Sequence, residues 1–133
     1  MQSKRIREAA AEGACLIDYV DEVKVSRVLR TMPPAEALED AAELFSVVSD
    51  PTRLRILIGL SKAELCVCDL AKVAGRSMTA TSHQLQILRR LRVVTFRMEG
   101  KLAYYKLTSE LVRQLIEQGV ARRGRPSRKE TAA

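Results

Sequence analysis

Between Ala35 and Val48 the apolar residues Leu38, Ala41, Ala42, Phe45 and Val48 recur at intervals of three and four. That period predicts one face of an amphipathic helix. Asp50-Pro51 restarts the chain, because aspartate suits an N-cap and proline suits the first helical position. Leu54, Ile56, Leu57, Ile58 and Leu60 then predict a helix that is apolar on most sides, loosened at Gly59 and Ser61-Lys62. Leu65 to Ala74 reads as a short helix stopped by Gly75. Ser77 can cap the next helix, which runs to about Leu91 with Met78, Thr81, Leu85 and Leu88 on one stripe. Thr79, His83, Gln86 and Arg90 face the other way, with Ser82 at the margin. Two short helices joined by a glycine turn, the second polar and basic on its outer side, form a helix-turn-helix pattern.

The period then changes. Val93-Val94-Thr95-Phe96 and Leu102-Ala103-Tyr104-Tyr105 are short β-prone runs around Arg97-Met98-Glu99-Gly100-Lys101, where Gly100 supplies the turn. A hairpin directly after a recognition helix is the wing of a winged helix-turn-helix. The expected fold is therefore mainly α with one small β-hairpin. Thr108 can cap a last helix through Gln118, with Leu111 and Leu115 apolar and Val112 and Ile116 beside them. So small a domain leaves that helix only the first helix or a partner subunit to pack on. The expected organisation is an arm with a short or frayed helix over 1–34, closed by Pro33-Pro34, then the winged domain over 35–119. A basic, disordered tail follows over 120–133.

Charge sharpens this picture. The 133 residues suit one compact domain with tails, or a protein that completes its core by dimerising, and the net charge is +7. Residues 76–106 carry Arg76, Arg89, Arg90, Arg92, Arg97, Lys101 and Lys106 against Glu99 alone, whereas residues 20–50 are predominantly acidic. One face is thus suited to a polyanion, although a merely solvated surface has the same composition. In the DNA reading, Ser77, Thr79, Ser82, His83, Gln84, Gln86 and Arg90 are candidate contacts in the major groove. Arg97 and Lys101 on the hairpin reach phosphates or the minor groove. His83 reads first as a DNA contact, with a solvated or metal-binding role as the alternatives. No apolar run approaches the length of a membrane span, and no export signal is evident. Neither a base–nucleophile pair nor a phosphate-binding glycine loop is present, so an enzyme is not expected.

Three cysteines cannot all pair within one chain, and Cys66 and Cys68 are too close for a good bridge. A reducing, cytoplasmic setting is the simpler expectation. Cys66-Val67-Cys68 begins the first helix of the motif, and a helix N-terminus favours the thiolate that binds soft metals. Two thiolates are an incomplete site; Cys15 in the arm can make it three, or all three can be incidental small apolar residues. A trithiolate suits Pb(II), Bi(III), or Cd(II) with a further weak ligand, and suits Zn(II) less. Asp18, Asp21 and Asp69 are nearby oxygen donors, and the spacing selects none of them.

Glu64-Leu65-Cys66-Val67-Cys68-Asp69-Leu70-Ala71, Ser82-His83-Gln84-Leu85 and Arg97 to Tyr105 resemble the ArsR/SmtB family of metal-responsive repressors, and within it the cadmium/lead-sensing CadC type. The resemblance spans roughly residues 15 to 118. It implies a winged-helix homodimer that binds operator DNA when metal-free and releases it on binding Cd(II) or Pb(II), with Zn(II) and Bi(III) as further candidates. It also implies Cys15, Cys66 and Cys68 as ligands, the arm cysteine coming from the opposite subunit; no small organic ligand and no membrane partner are expected. Three departures stand out. Tyr19 occupies the place of a second arm cysteine, residues 108–119 lack the histidines of the family's C-terminal zinc site, and Ala71 replaces the third cysteine of arsenic sensors. Rival readings of the same fold are a thiol-redox or As(III)/Sb(III)-responsive repressor, and outside it a structural or protein-interaction domain.

Overall fold

The computed structural model describes residues 2–122. Its contacts divide the chain into two units that meet between Ala37 and Leu38. The first unit holds two helices, α1 (Gln2–Ala11) and α2 (Glu22–Thr31), where the sequence predicts at most one. Asp21 starts α2, its side chain accepting the Lys24 N–H at 3.1 Å. Valines at 23, 25 and 28 mask that start, because β-branched residues score poorly as helix formers.

α3 (Ala35–Val47) and α4 (Pro51–Lys62) follow, α4 being capped by Asp50 with Pro51 in its first turn, as expected. The Leu65–Ala74 segment corrects the sequence reading. Leu65–Cys66 is a two-residue strand, β1, and only Val67–Ala74 forms the helix, α5. Gly75 ends α5 at φ +66°, a conformation that costs a side-chain-bearing residue, and so makes the tight turn into α6 (Met78–Arg90). The wing strands β2 (Val94–Glu99) and β3 (Leu102–Leu107) are longer than predicted. Glu99 pairs with Leu102, leaving Gly100-Lys101 as a two-residue turn with Gly100 at φ +61°. β1 pairs antiparallel with β3, so the hairpin becomes a three-stranded sheet of order β1-β3-β2.

α7 (Glu110–Ala121) is capped by Ser109, whose hydroxyl accepts the Val112 N–H at 3.2 Å. Thr108, the expected cap, instead donates to the Arg92 carbonyl at 3.1 Å. That bond steadies Arg92, which turns the chain from α6 into β2 at φ +58°. α7 also runs past Gly119, where the sequence predicts its end. The basic run from Arg123 to Lys129 lies outside the described residues.

One core joins Ile56, Leu57 and Leu60 of α4, Leu70 and Ala74 of α5, and Leu85 and Leu88 of α6. Val47 of α3, Val93 before β2, Val94, Tyr105 and Leu107 of the sheet, and Val112 and Ile116 of α7 also belong to it. Two helices bury only part of the apolar side predicted. α3 packs through Leu44 and Val47, and the predicted Val48 follows in the turn after it, while Leu38 and Phe45 are exposed, Phe45 by 49%. α7 packs through Val112 and Ile116 while Leu111 and Leu115 stay outside. On α6 the stripe holds at Thr81, Leu85 and Leu88, but Met78 is 48% exposed.

Thr81 is 1% exposed and its hydroxyl has no hydrogen-bond partner. An unsatisfied buried hydroxyl forfeits its hydration without compensation. Thr81→Val should therefore stabilise the protein by about 1 kcal/mol, read as a raised midpoint in urea unfolding. A lower midpoint would show that the hydroxyl is satisfied in solution. No helix among the described residues is long and apolar enough to cross a membrane.

Candidate DNA interface and thiol site

α6 carries an outward row of exposed side chains, Thr79, His83, Gln86 and Arg90, while its buried stripe fixes the helix on the core. Ser77 is exposed and occupied as a cap, accepting the Ala80 N–H at 3.1 Å. Ser82 is half-buried at the edge of the row. Gln84 departs from the expected arrangement: it is half-buried, and its Oε1 accepts the Arg53 Nε–H at 2.6 Å. This bond ties α6 to α4, so in this structure Gln84 positions the helix, and its carbonyl is not directed outward. Arg76 in the turn before α6 donates to the Thr52 hydroxyl at 3.3 Å, which ties that turn to α4 as well.

The root of the wing is fixed by an aromatic stack. Phe96 and Tyr105 lie 5.3 Å apart between ring centres, and the Arg89 guanidinium sits 4.5 Å above Phe96. Arg89 was not among the sequence candidates, because the period alone does not reveal that α6 ends over the sheet. Lys101 stands exposed at the wing turn. Arg97 is exposed but engaged: Nη1 donates to Glu99 Oε2 at 2.7 Å, Nε lies 3.5 Å from Glu64 Oε1, and the guanidinium lies 5.1 Å over Tyr104. The bond to Glu99, reinforced by the Glu64 carboxylate, pushes the Arg97 pKa further up from its already high value.

The thiols occupy the junction of strand and helix. Cys66 ends β1 and is the N-cap of α5, is 6% exposed, and makes no side-chain capping bond. Cys68 lies in the first turn of α5 and is exposed; it lines a hollow with Lys72, Arg76 and Met78. Cys15 lies in the first unit, also as an exposed free thiol. Among the described residues no group of three or more His, Cys, Asp or Glu comes together to hold a metal. Cys66 and Cys68 stand within one turn, where they could supply two soft donors to a site that needs a further ligand from elsewhere. His83 is on the outward row of α6.

Comparison with known proteins agrees with this architecture. The family described as bacterial regulatory protein, arsR family, matches residues 50–95, the stretch from the start of α4 into β2. A Staphylococcus aureus cadmium resistance transcriptional regulatory protein CadC homolog is 40% identical over 105 residues, covering 78% of this chain and 86% of that protein. A transcriptional repressor SmtB homolog from Synechocystis is 41% identical over 99 residues, covering 72% of this chain and 75% of its own length. Among solved structures, the homodimeric winged helix-turn-helix DNA-binding domain of a possible ArsR-family regulator from Mycobacterium bovis superposes with a TM-score of 0.59 at 30% identity. That match covers 68% of this chain and 88% of the other. With a winged helix-turn-helix fold and relatives that align over most of their own length, the chain belongs to the ArsR family of bacterial transcriptional regulators.

Proposed function

We propose that the protein is a repressor that binds operator DNA as a metal-free homodimer and releases it when Cd(II) or Pb(II) binds Cys15, Cys66 and Cys68. The observation that carries this reading is the pair of thiols at the start of α5, the helix that positions α6. A metal held there acts on the element that sets the recognition helix. Cys15 from the arm of the opposite subunit supplies the third thiolate, and a pyramidal trithiolate suits Pb(II), Bi(III) or Cd(II) better than Zn(II). The exposed apolar residues Leu38 and Phe45 on α3 and Leu111 and Leu115 on α7 are the surface through which two copies associate. His83, Gln86, Thr79 and Arg90 read the major groove, and Ser77, Ser82, Arg97 and Lys101 contact the backbone or its grooves. Gln84 contributes through Arg53. In this organisation residues 1–34 are the sensing arm, the winged domain runs from 35 to the end of α7 at Ala121, and the basic residues after it add phosphate attraction; the setting is the reducing cytoplasm.

The relatives' names support metal sensing in general, since they describe a cadmium resistance regulator and a transcriptional repressor. The test is titration of Cd(II) and Pb(II) into the reduced protein while recording thiolate-to-metal absorption. One metal per subunit with the intensity of three thiolates is expected, falling in Cys15→Ser as one ligand is lost. Weak absorption indifferent to that substitution would remove Cys15 from the site. Release of DNA by peroxide without metal, with a disulfide formed, would favour the thiol-redox rival.

A further inference from the structure

The strand pairing joins the thiol site to the wing. Cys66 is the partner of Tyr104 across β1 and β3, and Tyr104 is the partner of Arg97 across β3 and β2. The three residues therefore form one lateral row of the sheet, running from a candidate metal ligand to a wing arginine. The row is closed by a contact that bypasses the middle strand. Glu64, two residues before Cys66, pairs with Arg97 at 3.5 Å while the guanidinium rests over Tyr104.

We propose that Glu64 is a positioning residue that couples the thiol site to DNA by holding or releasing Arg97. The proposal rests on the metal-sensing reading above and adds the route by which the signal reaches the wing. β1 has only two paired residues, so a ligand bond on Cys66 readily shifts it. Cys66 has no capping bond to lose when its sulfur takes a metal. Both members of the Glu64–Arg97 pair are about half exposed, so their attraction is weak and phosphate competes for the same guanidinium. Beside Glu99, which stays on Arg97 from the same strand, the guanidinium thus has two alternative outer partners, the Glu64 carboxylate or a DNA phosphate. Metal on Cys66 and Cys68 fixes β1 with Glu64 on Arg97; without metal the arginine passes to DNA.

Glu99 provides an internal control. It pairs with the same arginine at 2.7 Å but lies on the arginine's own strand, so it moves with the wing and carries no signal from β1. The experiment compares wild type, Glu64→Gln and Glu99→Gln, with cadmium chloride as the metal and a duplex selected from a random pool by the reduced wild-type protein. The quantity read is the ratio of dissociation constants with and without metal, alongside the thiolate absorption. Glu64→Gln should keep full absorption yet reduce the ratio by about two- to fivefold, the size expected of a half-exposed ion pair on a coupling route. Glu99→Gln removes the same charge and should leave the ratio at the wild-type value. A smaller fall in Glu64→Gln, or an equal fall in Glu99→Gln, overturns the proposal. Failure of the metal-sensing reading shows separately, as a wild-type protein with no thiolate absorption or no release of the duplex, and it takes this inference with it.

Discussion

Replacing Cys66 or Cys68 by serine should leave the metal-free protein bound to its DNA and remove its response to Cd(II). The two thiols stand at the start of α5, whereas the outward row of α6 proposed to face DNA is built by other residues. Serine is nearly isosteric, so the N-cap geometry at 66 survives while the soft donor is lost. If metal and DNA are linked through this turn, each weakens the other's binding by the same factor. Couplings of this kind lie typically at about 5- to 150-fold, and a complete switch from bound to released needs about 5 kcal/mol of differential affinity. In either serine variant the ratio of DNA affinities without and with metal should fall to one. Fluorescence anisotropy of a labelled duplex reads this directly. Loss of metal-free DNA binding in the variants would show that the thiols serve the interface itself.

The second large effect is expected on α6. His83→Ala and Gln86→Ala should each weaken binding to the selected duplex by about 1–3 kcal/mol, the discrimination carried by a good base contact. Binding to non-specific DNA should change little. Lys101→Ala at the wing turn should act differently, weakening all sequences alike and lowering the salt dependence by about one phosphate contact. A uniform loss across sequences in the α6 variants would assign His83 and Gln86 to the backbone, and with them the orientation of α6 would need revision. Gln84→Ala offers a contrast, because its partner is Arg53. Its effect should appear in thermal stability as well as in DNA affinity.

The parts of the fold legible in sequence are those punctuated by local chemistry. Asp50-Pro51, Gly75 and Ser77 each satisfy or end a helix terminus within a few residues, and all three do so in the structure. Gly100 likewise fixes the wing turn. What escaped depends on distant partners. β1 is too short to show a period, and only its pairing with Tyr104 and Tyr105 makes it a strand. Gln84 looks like a solvent-facing polar residue until Arg53 is brought against it, and the ties of Arg97 to Glu64 and Tyr104 are equally non-local. The exposure of Leu38 and Phe45 on α3 and of Leu111 and Leu115 on α7 escapes the sequence for another reason. Both helices are apolar over more than one stripe, and periodicity gives no means to separate the stripe that fills the chain's own core from the one left outside. The candidate metal site is legible as a thiol pair because Cys66 and Cys68 share one turn, whereas Cys15 enters as the remaining cysteine of the chain and its place in the ligand set rests on the resemblance.

The central claim, that thiolate-bound metal drives this regulator off DNA, is tested most directly by one titration. Reduced wild-type protein is first saturated onto a labelled duplex selected from a random pool, and cadmium chloride is then added to one equivalent per subunit. Anisotropy should fall to the value of free DNA as the thiolate absorption rises, and a chelator should restore both. Full thiolate absorption with the duplex still bound would contradict it.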